Sequence, residues 1–181
     1  HTDVALSERG LEQACRLAEK LSSTRLDAVY SSDLRRAFRT AEIIAERNQP
    51  IAQPSAAWRE INMGTWEGRA LSDLNGEAPE KIAALFSDPA SFEYTGGESF
   101  TGFTTRIREA MEELLQRHPR GEIALVAHGG VCRAIIGEVL GVPIRNWLRI
   151  AQRHGCLNLI DWYESQPMVE LLNYSLEDFP A

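Results

Sequence analysis

Long apolar runs are missing from this sequence of 181 residues. No stretch approaches the roughly 20 consecutive apolar residues of a transmembrane helix, and the N-terminus lacks the apolar core of a signal peptide. We therefore expect a cytoplasmic protein that does not associate with a membrane. Hydrophobic residues still make up 44% of the chain, enough for the core of one globular domain. Because no linker, repeat or low-complexity tract marks a boundary, residues 1–181 are predicted to form a single domain.

An excess of basic charge is also missing, since 19 lysine and arginine residues stand against 26 aspartate and glutamate residues and the formal net charge is -7. Nucleic-acid backbones are bound mainly by clustered lysine and arginine side chains. A nucleic-acid partner is therefore not expected, and any anionic ligand must bind at a local group of arginines.

Cysteine is limited to Cys15, Cys132 and Cys156, an odd number without the spacing of a zinc site or a CxxC motif. Each stands in an apolar run, where free cysteine behaves as a small hydrophobic residue. We interpret all three as buried free thiols and predict no metal site.

Helical and strand-like patterns alternate along the chain. Apolar spacing predicts helices at 7–22, 33–48, 103–118 and 131–140, with two shorter ones within 71–86. Short apolar runs predict strands at 26–30, 51–53 and 123–127, and a hairpin of strands 157–163 and 168–173, turning at 164–167, that ends the sheet. This order is typical of an α/β domain in which a mainly parallel central sheet is flanked by helices, a three-layer sandwich.

Two strand ends carry candidate chemistry, because ligands of open α/β sheets bind at the carboxyl ends of strands. His128 follows an apolar strand and precedes Gly129, Gly130 and a helix whose free N–H groups favour an anion. Arg35 and Arg36 lie in the first turn of the helix after another strand, where an arginine fork suits a phosphate. Arg36 is the better candidate, although periodicity does not decide between the two. The pattern predicts a site for phosphate esters.

Each candidate has a structural alternative when it is taken singly. His128 is interpretable as a hydrogen-bonded structural histidine, and the arginines as solvated surface charges. Glu60 stands in an irregular segment and is interpretable as a loop carboxylate. Ser99 is suited to be the N-cap of the next helix.

Several short segments are weak signals singly but form a specific pattern when they are taken together and in this order. They resemble the histidine phosphatase superfamily, also called phosphoglycerate-mutase-like, over nearly the whole chain. The segment Trp66-Glu67-Gly68 and the compact length are most similar to small bacterial phosphatases, including the α-ribazole phosphatase group, rather than to the longer glycolytic mutases. The segments that carry the resemblance are His1-Thr2-Asp3, Leu6-Ser7-Glu8-Arg9-Gly10, Ser31-Ser32-Asp33-Leu34-Arg35-Arg36-Ala37, Arg59-Glu60, Gly64-Thr65-Trp66-Glu67-Gly68, Gly97-Glu98-Ser99 and Ala127-His128-Gly129-Gly130.

The resemblance implies roles for five of these residues and a helical insertion near the active site. Arg36 would bind the transferred phosphoryl group, His128 would donate a hydrogen bond to it, and Glu60 would be the proton donor. Ser99 and the backbone of Gly129 would make lesser substrate contacts. We expect His128 to be protonated when it stabilises the phosphoryl group, and we expect neither a metal nor a cofactor.

The family's nucleophile is a different histidine, in an Arg-His-Gly motif at the end of the first strand. In relatives that motif lies upstream of the segment that matches His1-Thr2-Asp3, and it is absent from this sequence. We expect the sequence to be part of a longer protein and the domain to lack its first strand here, with genuine loss of the nucleophile as the alternative.

The function expected from the resemblance is a metal-independent phosphomonoesterase that acts on a small phosphorylated metabolite through a phosphohistidine, with α-ribazole phosphate as a candidate substrate. The alternatives are a phosphoglycerate mutase and a non-catalytic phosphate-binding member. A homodimer is a possible assembly. Aromatic residues near the insertion would either cover a leaving group or pack under a loop: Trp66, Phe86, Phe92 and Tyr94.

Overall fold

The computed structural model describes residues 1–48, 50–163 and 166–176. Short 3₁₀ turns connect several of the helices and strands, and no helix of the described ranges has the length and apolar character to cross a membrane. The regular elements are α1 (Glu8–Leu21), β1 (Ala28–Ser32), α2 (Arg35–Asn48), β2 (Ala52–Ser55), α3 (Leu71–Glu77), α4 (Pro79–Ser87), α5 (Phe100–Arg117), β3 (Ile123–Val126), α6 (Gly129–Val139), β4 (Cys156–Trp162) and β5 (Pro167–Ser175).

The central sheet has the strand order β2-β1-β3, and both pairings are parallel. In the middle strand, Val29 lies opposite Ala52 on one side and Ala124 on the other. All five residues of β1 are buried. The predicted parallel sheet is therefore confirmed, with β1 at its centre.

Helices cover both faces of β1, because successive side chains of a strand point in opposite directions. Val29 belongs to a core shared with α1 and α2, where it packs among residues such as Ala18 and Ile44. Ala28 and Tyr30 belong to a second core that includes residues of α5 and α6. This arrangement confirms the three-layer α/β sandwich.

Helix α1 agrees with its predicted position, and the hydroxyl of Ser7 caps it by accepting a hydrogen bond from the Gly10 N–H at 3.2 Å. Its buried face is formed by Ala14, Leu17 and Ala18. Cys15 points away from that face and is exposed, whereas Cys132 and Cys156 are partly buried, so the prediction of three buried cysteines was wrong for Cys15 and holds only in part for the other two.

The hairpin forms as predicted but does not end the central sheet. Strands β4 and β5 pair antiparallel with each other in a separate two-stranded sheet, and β5 contacts α6. Within the described ranges, the backbone of the hairpin forms no ladder with β3. Of its predicted turn, residues 164 and 165 lie outside the described residues.

The predicted helical insertion consists of α3, α4 and a 3₁₀ turn at Pro89–Ser91. Beside it, the rings of Trp66, Phe92 and Tyr94 pack against one another with centroid distances of 5.1–5.4 Å. Trp66 and Tyr94 are buried, whereas Phe86 is exposed. Trp66, Phe92 and Tyr94 therefore pack against one another, in agreement with the interpretation that these aromatic residues pack under a loop.

Candidate active site

The two candidate strand ends lie at the same edge of the sheet, because β1 and β3 are adjacent and parallel. Helix α2 begins at Arg35, shortly after β1 ends, and α6 begins at Gly129, directly after His128. His128 is only 8% exposed. The fold thus places the predicted arginine and histidine together.

Arg36 is the arginine that points into the site. Its Nη2 donates to Nδ1 of His128 at 3.2 Å, and its Nη1 donates to the carbonyl oxygen of Thr2 at 2.8 Å. Arg35 is exposed to solvent. Since a guanidinium can only donate, Nδ1 of His128 must accept, and the proton of the neutral ring is on Nε2.

In the free protein the His128 ring is neutral at pH 7, and its protonation beside a bound phosphoryl group stays a prediction. Burial, followed by the positive charge of Arg36, lowers its pKa from 6.5 to about 4. Its Nε2 is buried and has no hydrogen-bond partner among the described residues. The site therefore contains an N–H donor that a ligand can use, rather than a second cation.

This pKa predicts a pH dependence of stability. Below pH 6.5 the unfolded chain binds a proton at position 128, whereas the native chain does so only near pH 4, so acidification favours unfolding. The free energy of unfolding should fall by about 3 kcal/mol over that interval because of His128. Chemical denaturation at several pH values should show a smaller loss for His128→Asn than for the unmodified protein. Equal losses in the two proteins would contradict the lowered pKa.

Glu60 lies at the N-terminus of α6. One carboxylate oxygen accepts from the Gly130 N–H at 2.9 Å, and the other accepts from the Ile61 N–H at 3.1 Å. Burial raises the pKa of Glu60, although both hydrogen bonds oppose the shift. A methyl group on residue 130 would lie 2.1 Å from Oε1 of Glu60, so any larger residue there would displace the carboxyl group. The helix N-terminus predicted to bind an anion thus binds the protein's own carboxyl group.

The first residues of the chain line one edge of the site. Nε2 of His1 donates to the backbone carbonyl of Glu60 at 2.7 Å. The N–H and the hydroxyl of Thr2 both donate to Glu67 at 3.0 Å. These contacts fix the Thr2 carbonyl that binds Arg36.

Two of the predicted substrate contacts have other roles in the described structure. The hydroxyl of Ser99 accepts from the Gly102 N–H at 3.0 Å and caps α5, as its structural alternative predicted. Gly129 is the first residue of α6. Their contacts with substrate stay predictions. Within the described residues, no group of three or more His, Cys, Asp or Glu side chains is arranged to hold a metal ion.

Sequence reasoning missed Arg133. Its Nε donates to the Ile150 carbonyl at 2.9 Å, and its Nη1 lies 2.9 Å from the position that a Cβ on Gly129 would occupy. Its charge opposes the raised pKa of Glu60 more strongly than that of Arg36 does. The available sequence signal was helical spacing: Arg133 lies four positions after Gly129, and such positions share a face of a helix.

Sequence reasoning also missed a charge pair at the rim of the site. Arg59 donates to both oxygens of Asp33 at 2.7 Å, which lowers the pKa of that carboxyl group and keeps it ionised. Asp33 and Arg59 therefore neutralise each other beside the two residues expected to act, Arg36 and Glu60.

Comparisons with known proteins agree with this geometry. The model of the histidine phosphatase superfamily (branch 1) matches residues 1–175. The chain is 31% identical over 171 residues to phosphoserine phosphatase 1 of Hydrogenobacter thermophilus, covering 94% of this chain and 81% of that protein. It is 30% identical over 173 residues to adenosylcobalamin/alpha-ribazole phosphatase of Escherichia coli, covering 96% and 85%. The solved structure of a mycobacterial glucosyl-3-phosphoglycerate phosphatase superposes with a TM-score of 0.85 at 29% identity, covering 96% and 89%.

Proposed function

Because the chain belongs to the histidine phosphatase superfamily, we propose that it hydrolyses a small phosphate monoester without a metal ion. One observation carries the proposal. The guanidinium of Arg36, the neutral ring of His128 and the carboxyl group of Glu60 lie together at the carboxyl edge of β1 and β3. Phosphoryl transfer requires mainly the positioning and charge stabilisation that such groups supply.

Arg36 and His128 bind the phosphoryl group in this proposal. The guanidinium supplies positive charge and two directed N–H donors for equatorial oxygens. Nε2–H of His128 is a further donor, which is buried and has no partner among the described residues. A phosphoryl oxygen is suited to accept from this N–H group, which favours an oxygen-rich ligand.

Glu60 transfers the protons. A histidine nitrogen attacks phosphorus and the P–O ester bond breaks, while protonated Glu60 gives its proton to the leaving alkoxide, which departs as an alcohol. The Glu60 carboxylate then takes a proton from water, which attacks the phosphohistidine and releases phosphate. A carboxyl group with a raised pKa is suited to both steps. The identity of the attacking histidine stays a prediction of the family resemblance.

The substrate class that we propose is a small phosphorylated metabolite. The relatives differ in the compounds that their names give, which are phosphoserine, adenosylcobalamin/alpha-ribazole and glucosyl-3-phosphoglycerate. α-Ribazole phosphate is our candidate because the Trp66-Glu67-Gly68 segment and the compact length resemble that group of phosphatases, one of which matches 96% of this chain. What these compounds share is a phosphate ester that Arg36, His128 and Glu60 are suited to bind and protonate.

Product analysis tests the proposal. The native-length protein is expected to release inorganic phosphate from an aryl phosphate and from 3-phosphoglycerate, without added metal and in the presence of a chelator. Phosphate release and the isomer ratio of remaining phosphoglycerate are measured together. Accumulation of 2-phosphoglycerate without phosphate release would favour the mutase, and neither product would favour a non-catalytic phosphate-binding protein.

A further inference from the structure

Arg106 connects α5 to the backbone on the N-terminal side of Glu60. Its Nη1 donates to the carbonyl oxygens of Ala57 and Arg59, at 2.7 and 3.1 Å. Its Nε and Nη2 donate to the two carboxylate oxygens of Glu98, at 3.0 and 2.9 Å. One guanidinium thus binds two carbonyl groups just before Glu60 and the carboxylate of Glu98, in the loop that precedes α5.

Glu98 continues the connection on the C-terminal side of Glu60. Its Oε2 also accepts from the Asn62 N–H at 2.9 Å, and its own N–H donates to the Asn62 carbonyl at 2.8 Å. The backbone at Gly97 approaches so closely that a methyl group there would lie 2.2 Å from the Asn62 oxygen. Glu60 therefore lies on a segment that is held on both sides by one ion pair.

We propose that the Arg106–Glu98 pair positions Glu60 for proton transfer, a role that rests on the proposed function. The pair contacts backbone at residues 57, 59 and 62 and holds the intervening carboxyl group against the Gly130 N–H. Its side chains are 23% and 26% exposed, whereas Arg108, two residues further along α5, pairs with Glu138 at the surface with 52% and 45% exposed. Arg106 and Glu98 are positioning residues that act through Glu60.

Substrates with different leaving groups distinguish a positioning role of Arg106 and Glu98 from a purely structural role. A p-nitrophenolate leaves without a proton, whereas the alkoxide of O-phosphoserine needs one from Glu60. A displacement of about 1 Å from the productive geometry can cost on the order of 100-fold in rate. A mispositioned Glu60 therefore slows the alkyl substrate selectively, whereas a general loss of folded protein slows both substrates equally.

The experiment measures kcat/KM for p-nitrophenyl phosphate and O-phosphoserine in the native-length protein, because kcat/KM reports the step in which the ester bond breaks. Arg106→Met is expected to lower kcat/KM for the alkyl phosphate at least about ten-fold more than for the aryl phosphate. In this variant the fall of kcat/KM with rising pH should move to lower pH. A Glu60 that is no longer held in place becomes more hydrated, and its pKa then loses the increase that burial causes. Arg108→Met is the matched control, expected to change neither substrate by more than about two-fold because it removes only an exposed ion pair.

Two milder variants guard against misfolding. Arg106→Lys keeps the charge but not the fork, and Glu98→Gln keeps the volume but not the charge, so each should show the same selectivity by a smaller factor. Equal losses for both substrates with an unchanged pH profile in these variants would overturn the positioning role. If the unmodified protein hydrolyses neither substrate, the proposed function fails and this inference with it. If it does hydrolyse them and Glu60→Gln is selective while the Arg106 and Glu98 variants are not, only the inference fails.

Discussion

Replacing Glu60 by glutamine is expected to lower kcat/KM for alkyl phosphate monoesters by about 10²–10⁴, the usual contribution of a positioned proton donor. Glutamine keeps the volume and can still accept the Gly130 N–H, but it has no acidic proton. The loss for aryl phosphates should be smaller, since a good leaving group needs less protonation. Steady-state kinetics with both substrate types measure the difference.

The pH profile gives a second measure of the same substitution. Because the pKa of Glu60 is raised, the acid form persists further towards neutral pH, and kcat/KM of the unmodified protein should fall as pH rises through that pKa. This alkaline limb should be missing in Glu60→Gln. Glu77→Gln is the matched control, because Glu77 is exposed on α3 and pairs only with Arg69 among the described residues. Similar losses in both variants would exclude Glu60 as the proton donor.

Local sequence signals predicted most of the elements correctly, because they depend on neighbours along the chain. The apolar spacing of α1 and the capping hydroxyl of Ser7 act within four residues. Sheet pairing depends instead on contacts between distant segments. The apolar patterns of β4 and β5 therefore predicted a hairpin but not its separation from the central sheet.

The residues of the candidate site likewise divide into those that local sequence signals predicted and those whose contacts form only in the folded chain. Strand ends followed by helix starts predicted the positions of Arg36 and His128, which a parallel sheet brings to one edge. The contact between Glu60 and the Gly130 N–H joins residues 70 positions apart, and the sequence contains no local sign of it. The neutral state of His128 in the free protein could not be predicted from the sequence for a related reason. Its pKa depends on burial and on Arg36, which only the folded chain places beside it.

Arg36→Met is expected to lower kcat/KM for every phosphate monoester, by about 10³ or more, as removal of an arginine that stabilises a transferring phosphoryl group does. Methionine preserves much of the apolar stem but removes the donors to Thr2 and His128. The loss should be similar for aryl and alkyl phosphates, because the phosphoryl group is common to both. This independence of the leaving group distinguishes Arg36 from Glu60 in the same kinetic assay.

The adjacent residue offers a matched control for Arg36. Arg35→Met removes the same charge from the same helix turn, but Arg35 is exposed, and its contact with Asp3 uses the backbone N–H, which the substitution keeps. Its effect on kcat/KM should therefore stay within about three-fold, as expected for a surface charge. A comparable loss in both variants would mean that the general positive charge of the α2 N-terminus binds the substrate. A large loss in Arg36→Met alone requires the directed contact beside His128.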